Sequence, residues 1–405
     1  MESANAPNLK FLTMAEAHYR PVCEADLEAF ASMASVSFSF DAKEAPKWFE
    51  KAGHENMRVL DKSGQIVAGL IRVPMGLWIA GNSIPTVGVS GVATPPESRN
   101  QGHCKEMMKQ FLIEEKSQGS PLSSLYAATF HLYRSVGYEH AGAWRKVEVP
   151  LQLLPRTSLP DGLELREGSP DDLPAIKSCY EKRARASNGM LDRGDYIWKK
   201  MMDPHQAKPR VWVFESSKEV EAYVVLSAKR KSDLDVDYTL HDIQSSTPRG
   251  YQALVGFVRS FYSMGGQAIW HSGPDDPILP LLPERGFQVE LEDEWMIRIL
   301  DVRAALEQRG WPKGRSGELH LQIKDPLFED NNGSFILNVE NGQAKVEQGG
   351  QGDLELSINS LAPLYTAHRS AESIALSSQA KGTAETLALA TALFAAPAPG
   401  MPDMF

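Results

Sequence analysis

The sequence predicts an α/β fold, α+β overall: two mixed-sheet domains in tandem, then a smaller C-terminal α+β domain. Three observations carry this. Strand and helix patterns alternate as far as Pro150, and they alternate again beyond the proline-rich stretch 150–160. In the last hundred or so residues, short strands come first and helices later. A chain of 405 residues exceeds one ordinary core, and the expected domains are 1–152, 153–302 and 303–405.

Along the first domain, Ala25–Phe38 spaces Leu27, Phe30, Met33 and Phe38 at helical intervals. Glu24 and Asp26 sit at its start, where carboxylates suit the helix dipole. Asn56–Leu60 and Gln65–Pro74 read as strands about the turn Lys62-Ser63-Gly64, and Ile84–Thr94 as a third strand. Arg99–Glu115 predicts an amphipathic helix with Met107, Met108, Phe111 and Leu112 on one face. Ser123–Phe130 returns as a strand, and a short helix carries Leu132–Val136. In the second domain, Ser169–Arg185 opens with a cap residue, a proline and two acids, the signature of a helix start. Val211–Phe214, Glu221–Leu226, Gln267–His271 and Trp295–Leu300 are strands, and Tyr251–Ser263 is a helix. The third domain offers strands over Leu319–Lys324, Gly333–Val339, Ala344–Glu347 and Asp353–Ile358, then helices over Ser360–Tyr365 and Ala384–Phe394.

A weak internal echo links the first two domains. Leu132–Tyr138 (LYRSVGY) resembles Leu281–Phe287 (LLPERGF), and each follows a helix-opening glycine, Gly102 or Gly250. Leu282 stands where Tyr133 stands, as in a duplicated domain whose second copy lost its chemistry.

Composition narrows the function classes. A net charge of -10 without a basic stripe argues against nucleic acid, while an acidic surface suits a cationic acceptor by long-range steering. No stretch has the length of a membrane span, and the first ten residues lack the apolar core of a signal peptide. Cys23, Cys104 and Cys179 form neither a paired framework nor a zinc spacing, so no metal is expected and a cytoplasmic location is.

The chemistry lies in Val87–Met108. A strand rich in valine and glycine ends at Thr94, two prolines stop its ladder, and a helix starts near Arg99 to Gly102. Glycines 88 and 91 allow a bulge or a close backbone approach. Free N–H groups at the helix start, its dipole and Arg99 make a seat for an anion such as a diphosphate. An extended amide-containing arm could pair along the strand edge. The spacing is neither the G-x-G-x-x-G of dinucleotide folds nor a P-loop.

Arg99-Asn100-Gln101-Gly102-His103-Cys104 resembles the [RQ]-x-x-G-x-[GA] signature of the GNAT superfamily of N-acetyltransferases, with Cys104 in place of the last small residue. Within that superfamily the whole chain resembles the Eis (enhanced intracellular survival) family. That family has an N-terminal GNAT domain, a degenerate second GNAT domain and a C-terminal domain similar to sterol carrier proteins, here carried by Leu354–Tyr365. The resemblance implies acetyl-CoA as cosubstrate, held by Val92, Ala93, Thr94, Arg99, Asn100, Gln101, Gly102, His103 and Cys104. Ala128 or Thr129 would lie near the thioester.

The family's tyrosine falls on Tyr133, in Tyr133-Arg134-Ser135-Val136-Gly137-Tyr138. A phenol, with an ordinary pKa near 10, is protonated at neutral pH and can protonate the departing thiolate. The family's base is a C-terminal carboxylate, here that of Phe405. The implied reaction is direct acetyl transfer to a primary amine: an aminoglycoside, a polyamine-like molecule or a lysine side chain. The implied assembly is a homo-oligomer, a hexamer in the family. Phe38, Phe40, Trp48 and Phe49, with Asp26, Asp41, Glu44 and Asp403, are candidates for receiving a cationic acceptor. Two alternatives are a non-catalytic acyl-CoA sensor and a lipid-binding protein acting through the C-terminal domain.

Overall fold

A computed structural model describes residues 17–204, 208–217, 219–233 and 235–405; the first ten residues, read above for a signal peptide, lie outside the described residues. The chain divides into two compact units, 1–71 with 91–110, and 72–90 with 111–405.

In the first unit, β1 (His18–Pro21), β2 (Met57–Lys62) and the leading part of β3 (Gln65–Ile79) pair antiparallel, with Tyr19 opposite Leu60 and Met57 opposite Ile71. Helices α1 (Leu27–Phe38) and α2 (Ala45–Ala52) meet through Phe30 and Phe49, edge to face at 5.3 Å. Gly69 lets β3 approach α1: a Cβ there would stand 2.5 Å from the Phe30 ring and 2.8 Å from the Met33 methyl. The end of β4 (Asn82–Ala93) and the start of α3 (His103–Ser117) complete this unit.

The second unit continues with β5 (Leu122–Tyr126), α4 (Phe130–Arg134), β6 (Glu139–Pro150), β7 (Glu164–Glu167), α5 (Leu173–Arg185), β8 (Leu191–Asp192) and α6 (Asp195–Met202). Next come β9 (Arg210–Ser216), β10 (Glu219–Ser232), β11 (Asp235–Ser245), α7 (Pro248–Arg259), β12 (Gln267–Ser272) and β13 (Gln288–Ile299). Its main sheet runs β4-β5-β13-β6-β12-β11-β10-β9-β7, parallel at β4–β5 and β11–β12 and antiparallel elsewhere. Strand β13 thus lies between β5 and β6, two strands more than a hundred residues before it. The last region holds α8 (Val302–Gln308), then β14 (Gly317–Lys324), β15 (Gly333–Glu340), β16 (Gln343–Gln348) and β17 (Leu354–Ser357). Helices α9 (Ile358–Tyr365) and α10 (Ala371–Leu376), strand β18 (Ala380–Lys381) and helix α11 (Ala384–Phe394) follow. Its sheet has the order β16-β15-β14-β17-β18. The expected α/β alternation and α+β tail are present, but the α/β strands of the second unit form one continuous sheet rather than two.

Several boundaries differ from the sequence reading. The helix expected from Arg99 begins at His103, because Asn100 (φ 61°) and Gly102 (φ 82°) are left-handed. The strand expected to reach Phe130 stops at Tyr126, ahead of an exposed loop. Residues 150–160 are no loose linker: Leu151 and Leu154 are buried with Val224, Leu254 and Trp270, and the Thr157 hydroxyl donates to the Gln252 carbonyl at 2.7 Å. Strand β11 escaped notice because Asp237 and Asp242 break its apolar pattern, yet both are buried. Helix α8 is announced by Asp301, which accepts from the Ala304 N–H at 2.9 Å.

Candidate active site

In the first unit, β4 ends in a kink. Gly91 has φ 61°, and a Cβ on it would stand 2.8 Å from the Trp48 ring, so only glycine admits both the backbone bend and the indole. Val92 and Thr94 are half-buried and Ala93 is buried. The Ser98 N–H donates to the Pro95 carbonyl at 2.9 Å, closing a tight turn. Arg99, Asn100, Gln101 and Gly102 are exposed. The Gln101 amide donates back to the Glu97 carbonyl at 2.9 Å, fixing the loop from within. The first helical bond runs from the Glu106 N–H to the Gly102 carbonyl at 3.0 Å. The N–H groups of His103, Cys104 and Lys105 therefore precede any intrahelical acceptor, and with the helix dipole they can seat an anion.

Two side chains of this turn are tuned by burial. The His103 imidazole is held below its ordinary pKa, first by desolvation and then by Lys62, so it is neutral at physiological pH. Burial pushes the Cys104 thiol up to about 11, opposed by its hydrogen bond with Thr94. Cys104 is a small protonated filler, which is what the signature's small residue requires.

In the second unit, Ala128 and Thr129 lie exposed in the loop after β5, and Thr129 is the extended residue preceding α4. Tyr133 is 5% exposed, and its ring meets Tyr138 edge to face at 6.0 Å. The Tyr138 hydroxyl is hydrogen-bonded to Ser123 at 2.7 Å, and burial holds its pKa far above the ordinary phenol value. The turn after Tyr133 is clamped from the C-terminal region. Asn359 donates to the Arg134 carbonyl at 3.0 Å and to the Tyr138 carbonyl at 2.9 Å. Arg298 Nε donates to the Val136 carbonyl at 2.9 Å, while its Nη2 grips Asp325 at 2.7 Å on both oxygens. Gly137 (φ 97°) lies against that guanidinium, where a Cβ would clash at 2.5 Å.

The carboxyl-terminal segment is embedded. The Gly400 N–H donates to the Asn188 carbonyl at 2.9 Å, and the Ala143 N–H to the Pro399 carbonyl at 3.2 Å. The Tyr126 hydroxyl donates to the Asp403 carbonyl at 2.8 Å, and Lys200 to the Met404 carbonyl at 2.7 Å. Arg193 holds the Asp403 carboxylate at 2.7 and 3.1 Å and Asp242 at 2.5 Å, with its guanidinium 3.7 Å above the Tyr180 ring. Burial pushes the Asp403 carboxyl up, against the pull of Arg193, and pulls the Lys200 ammonium down to about 8. Phe405 is 8% exposed; its ring meets Tyr126 at 5.7 Å and covers Gly88, where a Cβ would stand 2.7 Å away. Phe405 and Tyr133 thus pack on different tyrosines.

Two of the acids suggested for a cationic acceptor are already committed. Asp26 pairs with Arg20 at 2.5 and 3.0 Å, and Asp403 with Arg193. Asp41 is exposed and caps the Lys43 N–H at 3.0 Å. The aromatic group does form: Phe38 and Phe40 meet Trp48 edge to face at 6.2 and 5.9 Å, while Phe49 belongs to the core. Sequence reading missed Trp48 as the partner of Gly91, and Asn359, Arg298 and Arg193 as clamps. Nothing local marks the clamps, whose partners are distant in sequence.

The second domain repeats the plan of the first. Strand β4 pairs with β5 in parallel over three residues, Thr86–Gly88 against Leu122–Ser124, and β11 with β12 over three, Tyr238–Leu240 against Ala268–Trp270. Each first strand then runs on past its parallel partner into a turn and a helix, β11 staying paired with β10 as far as Ser245. At α7, however, the Gly250 N–H is capped by the Thr247 hydroxyl at 3.1 Å, and that hydroxyl and the Arg249 side chain are bound by Glu221. Its carboxylate accepts from Thr247 Oγ1 at 2.9 Å and from Arg249, and Arg249 first among its donors holds its pKa down at about 2. At this turn the helix start and its arginine are thus already partnered within the chain.

Comparison with known proteins agrees. Residues 18–141 and 189–299 each match an acetyltransferase (GNAT) domain family, and residues 302–402 match a sterol carrier protein domain family. A Streptomyces griseus protein described as an uncharacterised N-acetyltransferase is 25% identical over 71% of this chain and 73% of its own length. The N-acetyltransferase Eis of Mycobacterium tuberculosis is 24% identical over 75% of this chain and 77% of its own. The solved GCN5-related N-acetyltransferase of Anabaena variabilis superposes with a TM-score of 0.92 at 29% identity, covering 96% of this chain and all of that one. Eis1 of Mycobacterium abscessus shares the fold, with a TM-score of 0.80 at 18% identity over 96% of this chain and all of that one. Two GNAT domain matches in tandem, with a kinked strand ahead of a helix start able to seat an anion, define a GNAT acetyltransferase. Among these, the chain is similar to the Eis N-acetyltransferases.

Proposed function

We propose that this acetyltransferase moves the acetyl group of acetyl-CoA directly to a primary amine of an aminoglycoside, a polyamine-like molecule or a lysine side chain. The observation that carries the donor is the turn 99–104. Its left-handed Asn100 and Gly102 present first-turn N–H groups for a diphosphate, and the kink at Gly91 leaves strand edge at Val92 to Thr94 for an amide-bearing arm.

The catalytic roles rest on the family resemblance. The Phe405 carboxylate takes a proton from the ammonium, and the freed nitrogen attacks the thioester carbonyl. The N–H at Val92 stabilises the oxyanion. The C–S bond breaks as the Tyr133 hydroxyl gives its proton to sulfur. The second proton shed by nitrogen restores Tyr133 through solvent, so one proton is released per turnover. Domain limits at 152 and 302, a homo-oligomeric state, a hexamer in the family, and a cytoplasmic location complete the proposal.

The test is thiol release from acetyl-CoA against an amine panel. Amine-dependent release that falls at least about tenfold in Tyr133→Phe and in a chain extended beyond Phe405 is expected. Release with no amine dependence, or full turnover in both variants, refutes it. Size-exclusion with light scattering reads the assembly.

A further inference from the structure

Where β11 and β12 part company, beyond Leu240 and Trp270, the structure holds a cavity of about 180 Å³. The register of β10 against β11 skips His241, a bulge that turns Ile243 and Gln244 toward it. Met190, Ile243, Trp270 and Ile278 give it apolar walls, and the proline-rich segment before the carboxyl end closes one side. In the first domain, the same fork at Gly88 is covered by the Phe405 ring. The second domain has kept the fork and left it open.

The charges facing the cavity are few. Arg183, on α5, is the one Lys or Arg among its described lining residues. Its Nε donates to the Tyr251 hydroxyl at 3.1 Å, and among the described residues its terminal nitrogens have no hydrogen-bond partner. His271 is held neutral by burial despite its bond to Glu292 at 2.7 Å. Asp276 is occupied by the Trp270 indole N–H and the Ile278 N–H, both at 2.7 Å, and Asp275 is exposed. Beyond the fork, the Arg249 side chain at the start of α7 is paired with Glu221.

From this geometry we infer that the fork between β11 and β12 is a second ligand site, for a small monocarboxylate with an apolar body, whose anionic end is recognised by Arg183. The volume is that of a one-ring or short-chain molecule, since about 150 Å³ of apolar cavity accommodates benzene. The same volume is too small for coenzyme A. A planar guanidinium with its fork of donors unspent matches a carboxylate in two-point geometry.

The test uses the full-length protein and benzoate as probe, with benzamide as the uncharged isostere, followed by ligand-observed NMR titration. Saturable binding of benzoate at one site is expected, weaker by about ten- to a hundredfold for benzamide and in Arg183→Met. Saturating acetyl-CoA should leave benzoate binding unchanged. Lack of saturation up to about 10 mM, equal binding of benzamide, or displacement of benzoate by acetyl-CoA overturns the site. Wild-type affinity in an Arg183→Met protein of unchanged melting temperature overturns the recognition. Should that variant melt early, the benzamide and acetyl-CoA arms decide alone.

Discussion

Replacing Arg193 with methionine removes the guanidinium that Asp242 and Asp403 share in a sealed cluster. Arg193 and Asp242 have side chains 1% exposed and Asp403 has none exposed, so water cannot take over when the guanidinium goes. Breaking a buried pair by deleting one partner costs about 3–5 kcal/mol. The same figure follows from protonation. Keeping one stranded carboxyl neutral at pH 7, about three units above its ordinary pKa, costs about 4 kcal/mol at 1.36 kcal/mol per unit. The variant's native state then binds more protons than its unfolded state, so its stability falls as pH rises above about 4. Lowering pH from 7 to 6 should recover about 1.4 kcal/mol for each carboxyl that remains neutral.

The local reporter is hydrogen exchange at the Gly400 and Met401 amides, which bond the Asn188 and Ala143 carbonyls. Their protection should drop by roughly a thousandfold at pH 7 and partly return at pH 6. Protection within about tenfold of wild type, or a deficit that grows on acidification, refutes the account.

Three further outcomes are expected. Gly91→Ala, meeting both a left-handed φ and the Trp48 ring, should raise the KM for acetyl-CoA more than Gly102→Ala, whose Cβ meets nothing within 4 Å and costs only the backbone strain of about 1 kcal/mol. Of the three cysteines, exposed Cys23 should react fastest with a thiol reagent in the native protein, half-buried Cys104, pushed up by burial to about 11, far more slowly, and buried Cys179, pushed up to about 12, only after denaturation. Glu221→Gln should lower stability by about 1–3 kcal/mol at neutral pH. Because Glu221 is depressed to about 2 in the fold, that contribution is complete above its unfolded pKa of about 4.3 and lost as pH falls toward 2, so urea midpoints of the two proteins should converge in acid.

The parts of the site that were legible are those written in local sequence. The run Val87–Met108 announces a strand, a stop, a turn and a helix within reach of one another, and periodicity fixed the buried face of α3 at Met107, Met108, Phe111 and Leu112. The helix begins four residues after Arg99 because Asn100 and Gly102 are left-handed, which shows only in coordinates. The carboxyl segment was read for its last residue. What anchors it, Asn188, Arg193 and Lys200, lies about two hundred residues away, and no spacing rule connects them. Buried charges mislead most: Asp403 looks like a surface acid in sequence and is a fully enclosed ion-pair partner.

The position of β13 sets a timetable for synthesis. Domains ordinarily fold as they emerge from the ribosome, at about 5–20 residues per second. Here β5 and β6 cannot join directly, since the strand that separates them, Gln288–Ile299, is translated long after Pro150. For roughly ten seconds or more the nascent chain must carry unpaired strand edges at Leu122–Tyr126 and Glu139–Pro150. A fragment ending at residue 152 would be frozen in that condition, and sticky edges, more than a missing residue, would be its defect.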